Sequence, residues 1–203
     1  GKLKEEKELV LYPDKNGCVA DLLNEARKQV ELSKNGSGKL RLLEVIGYKI
    51  FNVQKDDISL EHLNSGGTKM FRIEEIPVED LHVGEGELLV PCAHYHKEQF
   101  ATFGVPFLLK IRQGESLSAL RERIQEKLDV PEKDIEKWKF ALVITGRQHY
   151  LPEDPEYTVA IKDFLPHPQG GLQTRPWLGL DHVNKMPKRS RYNYLEKAIK
   201  IHN

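Results

Sequence analysis

Cysteine is scarce in this sequence, and so are methionine and tryptophan, with two of each among 203 residues. The two cysteines, Cys18 and Cys92, are too few for a disulfide framework and fit a reducing compartment. Long apolar runs are also missing, since stretches such as 107–109 and 140–144 fall far below the ~18–20 residues that cross a bilayer. No charged-then-apolar signal segment opens the chain. We therefore expect a soluble intracellular protein that does not act on membranes.

The formal net charge of zero conceals an uneven distribution of charge. From residue 185 onward there are six basic residues and one acidic residue, which leaves 25 basic and 30 acidic residues in the body of the chain. A basic tail behind an acidic body predicts that the tail meets an acidic surface, in the same chain or in a partner. Because an acidic body repels phosphate, we expect no nucleic-acid partner.

An internal repeat organises the chain. Apolar residues at helical spacing predict one helix over 19–31 and a second over 117–128, the second with Ser116 as its N-cap. The same kinds of element follow each helix in the same order: a strand (40–45 and 138–145), a second strand (48–53 and 148–151) and a helical turn (57–63 and 159–165). Equivalent positions lie 98 to 101 residues apart. We interpret the chain as two copies of one fold in tandem.

The order of elements within each copy is that of a β-grasp, an α+β fold. We place the first module at residues 1–80 and the second at 84–183, followed by a tail at 184–203. The second copy carries one more strand, 88–96, whose counterpart in the first copy would precede residue 1. We expect the first module to begin inside its opening hairpin, with the alternating segment 8–12 as the second strand of that hairpin.

The segment Cys92-Ala93-His94-Tyr95-His96 is the one candidate for nucleophilic or metal chemistry. On a strand, Cys92, His94 and His96 project in parallel, ~6.5–7 Å apart, so they do not converge on one substrate carbonyl. A zinc site built from all three has no fourth ligand nearby. We therefore expect no catalytic residue, no metal and no cofactor in this chain.

The C-terminal tail combines basic residues with an unusual density of apolar ones. Its candidate partner-binding residues are Tyr192, Tyr194, Leu195, Ile199 and Ile201. Tyr192, Leu195 and Ile199 follow helical spacing, whereas Ile199 and Ile201 alternate like a strand, so periodicity leaves the conformation open. Such residues beyond the last module predict docking, onto the chain's own modules or into a partner. Burying the two isoleucines alone would contribute ~3–6 kcal/mol before costs.

Residues 107–165 resemble ubiquitin in the positions of the helix, the following Val-Pro, the apolar strand and the one-turn helix. A more specific resemblance lies near the C-terminus. The segments 175–182, 188–192 and 194–203 look like the extreme C-terminus of the herpesvirus-associated ubiquitin-specific proteases, and further matches occur at 11–15, 37–44, 71–77 and 106–109. The resemblance covers nearly the whole chain in the same order and departs from the family at 54–68 and 152–174.

The resemblance implies the fourth and fifth ubiquitin-like domains of such a protease, with its tail and without its catalytic domain. The function it implies is a non-catalytic regulatory region of a deubiquitinating cysteine protease, in which the tail binds and activates the catalytic domain of the same protein. The alternative is a scaffold that recognises substrates or other proteins through the ubiquitin-like surfaces. The resemblance also implies a location in the nucleus and in the cytoplasm.

Overall fold

The computed structural model describes residues 7–63, 69–166 and 175–185. The chain divides into two compact units, residues 7–82 and 83–184, and each is described by itself below. Each unit combines one principal helix with a β-sheet, so the predicted α+β class is confirmed.

The first unit is a helix packed on a three-stranded antiparallel sheet. Its regular elements are α1 (Val19–Arg27), β1 (Leu40–Ile46), β2 (Lys49–Gln54) and β3 (Lys69–Glu75), with 3-10 turns at Leu60–His62 and Val78–Asp80. The strand order is β2-β1-β3. The apolar face that the sequence predicts for α1 is buried: Val19, Leu22, Leu23 and Ala26 pack in one cluster with Leu40, Leu42 and Phe71.

The helix α1 is shorter than predicted and ends at Arg27. The amide N–H groups of Lys28 and Gln29 donate to the carbonyl oxygens of Glu25 and Ala26, at 3.2 and 2.9 Å. These are i to i−3 bonds, which tighten the last turn and end the α-helical ladder. Val30 still packs against the core from beyond the helix.

The segment 8–12 behaves as the sequence predicts in burial but not in hydrogen bonding. Leu9 and Leu11 are buried, whereas Val10 and Tyr12 between and after them are exposed. Within the described residues, however, this segment belongs to no strand. Its alternation follows the core beneath it, and no β-ladder among the described residues includes it.

In the part of the chain that the structure describes, the second unit has a five-stranded mixed sheet. Its strands are β4 (Glu87–His96), β5 (Ala101–Arg112), β6 (Lys139–Ile144), β7 (Arg147–Tyr150) and β8 (Trp177–Asp181), and its helices are α2 (Leu117–Leu128) and α3 (Glu132–Ile135), with 3-10 turns at Lys97–Gln99 and Ile161–Phe164. The strand order is β5-β4-β8-β6-β7, with β4 parallel to β8 and the other pairs antiparallel. The predicted face of α2 is confirmed: Leu117, Leu120 and Ile124 are buried, and Leu128 packs at the edge.

Ser116 caps α2 as predicted, because its hydroxyl accepts a hydrogen bond from the amide of Ala119 at 3.2 Å. Two features of this unit differ from the sequence analysis. Strand β5 begins at Ala101, six residues earlier than the apolar run at 107, and the four-residue helix α3 was not predicted.

The same backbone hydrogen bonds join helix start and helical turn in both units. In the first, Val19 N–H donates to Ile58 and Leu60 N–H donates to Gly17. In the second, Leu117 N–H donates to Tyr157 and Val159 N–H donates to Glu115. The donors and acceptors in the two units are 98 or 99 residues apart in sequence. Each of these hydrogen bonds therefore recurs at the spacing of the predicted repeat.

A buried ionic cluster lies on β1 of the first unit. The guanidinium of Arg41, whose side chain is buried, lies 2.7 Å from a Glu74 oxygen and 3.3 Å from an Asp80 oxygen. The two carboxylates compensate the buried positive charge of Arg41. Removing either carboxylate would leave part of that charge uncompensated. The cluster ties the turn after β3 to the sheet.

Candidate functional site

The predicted partner-binding residues Tyr192, Tyr194, Leu195, Ile199 and Ile201 lie outside the described residues. What the structure describes is the place where the tail begins, at the end of β8. There the amide of His182 donates to the carbonyl of Tyr95 at 3.1 Å, one residue past the parallel pairing of β8 with β4.

The side chain of His182 is held between a tryptophan and a second histidine. Its ring stacks on Trp138, with centroids 3.8 Å apart and planes 6° apart. Its Nε2 lies 2.8 Å from Nδ1 of His94, a hydrogen bond in which one ring donates and the other accepts. Arg121 of α2 donates to the carbonyls of Ile135 and Trp138, at 2.8 and 3.1 Å, and so holds the segment that carries Trp138.

His94 is the buried member of the histidine pair. It lies at a bulge in β4 and stacks on Phe103 at 5.8 Å between ring centroids. Burial, with a smaller contribution from His182, lowers the pKa of His94 to about 3. His94 is therefore neutral at physiological pH and serves as a fixed neutral partner for His182.

A second hydrogen-bonded chain crosses the same end of the sheet. The Tyr95 hydroxyl donates to the Tyr150 hydroxyl at 3.1 Å, which donates to Oδ2 of Asp181 at 2.7 Å. The other oxygen of Asp181 accepts from the amide of Lys97 at 3.1 Å. Burial is the main cause that raises the pKa of both tyrosines, so both hydroxyls stay protonated.

Of these residues, Lys97, Tyr150, Asp181 and His182 line an open pocket of about 320 Å³ at the end of β4 and β8. Its walls come from four places: residues 96–98 at the end of β4, Lys137 and Lys139 at the start of β6, Tyr150 at the end of β7, and residues 181–183 at the end of β8. The pocket is therefore assembled from segments far apart in sequence, next to the residues from which the tail departs.

The candidate nucleophile Cys92 lies in the core and not in this pocket. Its side chain is fully buried among apolar residues, and its thiol donates to the carbonyl of Val90 at 3.6 Å. Burial raises the pKa of Cys92, which keeps the thiol protonated and unreactive. The ring of His94 is engaged with His182. Within the described ranges, no group of three or more His, Cys, Asp or Glu side chains has the geometry of a metal site.

The sequence did not predict the pocket or the residues packed against His182 beside it. His182 lies 88 residues from His94, and Trp138 lies on a third segment. The only local signal was the motif 175–182, which carried the family resemblance and contains both Asp181 and His182. No role is predicted for either residue from the sequence.

A family model described as "ubiquitin-specific protease C-terminal" matches residues 1–187. The chain belongs to the ubiquitin-specific protease C-terminal family. Three relatives illustrate the match. Ubiquitin carboxyl-terminal hydrolase 7 of Drosophila melanogaster is 45% identical over 99% of this chain. Ubiquitin C-terminal hydrolase 13 of Arabidopsis thaliana is 37% identical over 93%, and ubiquitin carboxyl-terminal hydrolase 7 of Caenorhabditis briggsae is 34% identical over 97%.

The chain spans less than a fifth of the length of these ubiquitin-specific protease relatives: 18%, 17% and 18%, in the same order. The family match at 1–187 includes the pocket at the end of β8 and ends near the start of the tail. None of the helices in the part of the chain that the structure describes is long and apolar enough to span a bilayer.

Proposed function

We propose that this chain is the non-catalytic regulatory region of a deubiquitinating cysteine protease, and that its tail binds and activates the catalytic domain of the same protein. Membership of the ubiquitin-specific protease C-terminal family carries this proposal. The relatives are named as ubiquitin hydrolases, and the chain aligns with less than a fifth of their length, which is what a regulatory segment of a larger enzyme would do.

The geometry at the end of β8 supports a tail that is presented from a fixed point. His182 is held by its amide, by its ring nitrogen and by stacking on Trp138. The next residue, Val183, is exposed. A tail that leaves a rigid anchor explores a restricted volume, which raises its effective concentration at a site within reach.

Activation by such a tail is a shift in population. The catalytic domain would exchange between states with ordered and disordered active sites, and the tail would bind the ordered state more tightly. Because the tail and the catalytic domain share one polypeptide, weak intrinsic affinity is sufficient. The aliphatic residues Ile199 and Ile201 would supply burial that depends little on salt, whereas Lys188, Arg189 and Arg191 would supply screened, exposed charge.

The experiment is a titration of the 188–203 peptide, and separately of the 203-residue chain, into the isolated catalytic domain of the parent protease, with ubiquitin cleavage as the readout. We expect both to raise the cleavage rate. Replacing Ile199 and Ile201 by alanine should largely abolish the stimulation. Replacing Lys188, Arg189 and Arg191 by glutamine should weaken it only modestly, and mainly at low ionic strength, since exposed ion pairs contribute ~0–1 kcal/mol.

Two outcomes would contradict the proposal. Failure of both the peptide and the chain to change cleavage would refute activation in this region. A charge variant that is inactive beside a normal isoleucine variant would show that the tail acts as an electrostatic tether and not by apolar docking.

A recognition scaffold is the second candidate, and the exposed aromatic residues favour it. Phe100, at the turn between β4 and β5, is 83% exposed and adopts φ +47, a conformation that non-glycine residues rarely take. An exposed aromatic side chain at this turn offers apolar surface to another protein. Pull-down of substrate proteins that depends on Phe100, without stimulation of the catalytic domain, would favour this function.

For location, the proposal is the nucleus and also the cytoplasm. The basic run Lys188-Arg189-Ser190-Arg191 supports it, because short basic segments are typical of nuclear import signals. Imaging of a fluorescent fusion, with and without glutamine at the three basic positions, tests this proposal. An unchanged nuclear signal in the glutamine variant would show that the tail is not the import signal.

A further inference from the structure

We propose that the pocket at the end of β4 and β8 binds a carboxylate side chain presented by an acidic segment of a partner protein. The pocket, of about 320 Å³, lies within the second unit. Three features carry the inference: its lysines, an unpaired buried histidine nitrogen, and the engagement of its own Asp181 carboxylate in hydrogen bonds.

Three lysines line the pocket: Lys97 after β4, and Lys137 and Lys139 at the start of β6. Among the described residues, Lys97 and Lys137 form no ion pair. Lys139 lies 3.7 Å from Glu153, with both side chains largely exposed. Such a pair contributes little, so Lys139 can exchange it for a ligand carboxylate.

The ring nitrogen Nδ1 of His96 is the second feature. It is buried and has no hydrogen-bond partner among the described residues, although the residue lines the pocket. A buried polar atom without a partner is costly, and native structures rarely keep one. A turn of the ring that brings the Nδ1–H to a carboxylate oxygen in the pocket would form that hydrogen bond and remove the cost.

Two carboxylates of the chain also line the pocket, and they differ in availability. Both oxygens of Asp181 already accept hydrogen bonds, from Tyr150 and from the Lys97 amide. Glu98 is exposed and has no ion pair in the described part of the chain. Glu98 therefore competes for the lysines from within the pocket, as Glu153 does for Lys139 from outside it, and removal of Glu98 should strengthen binding of an acidic ligand.

The size of the pocket selects a side chain and not a folded surface. A volume of about 320 Å³ is at the small end of the ~300–1,000 Å³ of ligand sites, and an aspartate or glutamate with part of its backbone fits such a volume. Specificity would come from the cations around it and from neighbouring acidic residues outside the pocket.

The test uses the 203-residue chain, labelled with ¹⁵N, and a hexapeptide of glutamate with blocked ends. We expect amide and histidine shifts at 96–98, 137–139 and 181–183, and weaker binding as salt is raised. Perturbation confined to residues 186–203, or no perturbation at all, would overturn the proposal. Inorganic phosphate is the second probe, and if it binds the same residues as tightly as the peptide, the ligand is a free anion and a protein partner is ruled out.

Pairs of variants test the direction in which each charged residue changes the affinity for the peptide. Lys137→Gln with Lys139→Gln should weaken peptide binding about fivefold, whereas Lys133→Gln with Lys162→Gln, two exposed lysines of the same unit outside the pocket, should leave it unchanged. Glu98→Gln should tighten binding about twofold. An equal loss in both lysine pairs, or weaker binding in Glu98→Gln, contradicts the site.

The role of His96 has its own pair of variants. His96→Leu removes the donor and should weaken binding about tenfold, whereas His96→Gln keeps an N–H group and should recover most of the affinity. Each variant is first checked for an unchanged spectrum away from the pocket. Equal affinities of the two variants would show that Nδ1 does not contact the ligand.

Discussion

The two units repeat one plan with different numbers of strands. In the second unit, β4 lies between β5 and β8, and the sheet has five strands. In the first unit, the sheet within the described residues has three strands. The segment 8–12 precedes α1 as β5 precedes α2, but it pairs with none of these three strands. Leu9 and Leu11 of that segment are nevertheless buried. The comparison shows that burial of an alternating segment and its hydrogen bonding in a ladder are separable.

The cysteines provide the largest expected difference between the units, because each unit holds one. Cys18 is partly exposed at the start of α1, whereas Cys92 is fully buried with a raised thiol pKa. We expect iodoacetamide at pH 8 to modify Cys18 at least on the order of a thousandfold faster, since Cys92 reacts only after unfolding. Mass spectrometry of timed samples measures both rates. Comparable rates would mean that the second core opens readily.

Replacing either of the equivalent core leucines of the two helices by alanine should lower the free energy of unfolding by ~2–5 kcal/mol. Leu22 and Leu120 are both buried, at 1% and 0% exposure. Trp138 and Trp177, the only tryptophans of the chain, both lie in the second unit. Leu120→Ala should therefore shift the urea transition seen by tryptophan emission, while Leu22→Ala should increase amide exchange in α1 and leave that transition in place.

Glu122→Ala, at an exposed position of α2, is the control and should change stability by less than ~0.5 kcal/mol. A Leu22→Ala chain whose tryptophan transition falls as far as that of Leu120→Ala would show that the units unfold together.

Gly179 tests how closely the central strands of the second sheet are packed. A Cβ at this position would lie 2.5 Å from Cε1 of Tyr95 and 3.1 Å from a Val143 methyl. Gly179→Ala should cost ~1–3 kcal/mol by overpacking. Thermal unfolding monitored by tryptophan emission measures the loss. Adding Tyr95→Leu should recover part of it, and a loss that the second change does not reduce would place the cause elsewhere.

The smallest expected effect is a difference between the caps of α1 and α2 in how their stability changes with pH. The Asp21 carboxylate accepts from the Cys18 amide at 2.9 Å, and this hydrogen bond lowers the pKa of Asp21. Because the folded pKa lies below the unfolded value of ~3.9, the stabilisation is present above that value and is lost as pH falls through the folded pKa. Amide exchange in α1 at pH 5 and pH 2.5 should therefore differ less in Asp21→Asn than in the parent chain.

The cap of α2 does not titrate, so Ser116→Ala should cost ~1 kcal/mol at both pH values. A pH dependence in α1 that survives Asp21→Asn would assign it to other carboxylates of the first unit.

Local patterns predicted much of this fold. The apolar faces of α1 and α2 follow from residues three and four positions apart, and the Ser116 cap follows from its place before that pattern. The strands 40–45, 48–53 and 148–151 were placed to within one or two residues of those observed. In each case the interacting groups are neighbours in sequence, or are related by the repeat of about a hundred residues, so the chain itself carries the information.

The tertiary structure decided what depends on distant segments. Whether segment 8–12 joins a ladder depends on the strand beside it, not on its own alternation. The pairing of His94 with His182, the stack on Trp138 and the pocket around Lys137 and Lys139 arise because β8 inserts between β4 and β6. The periodicity within a strand does not predict which strands become neighbours, because the order of strands depends on how all the elements pack around one core. The sequence by itself determined the faces of the two long helices, several strands and the family, and the order of strands determined the site.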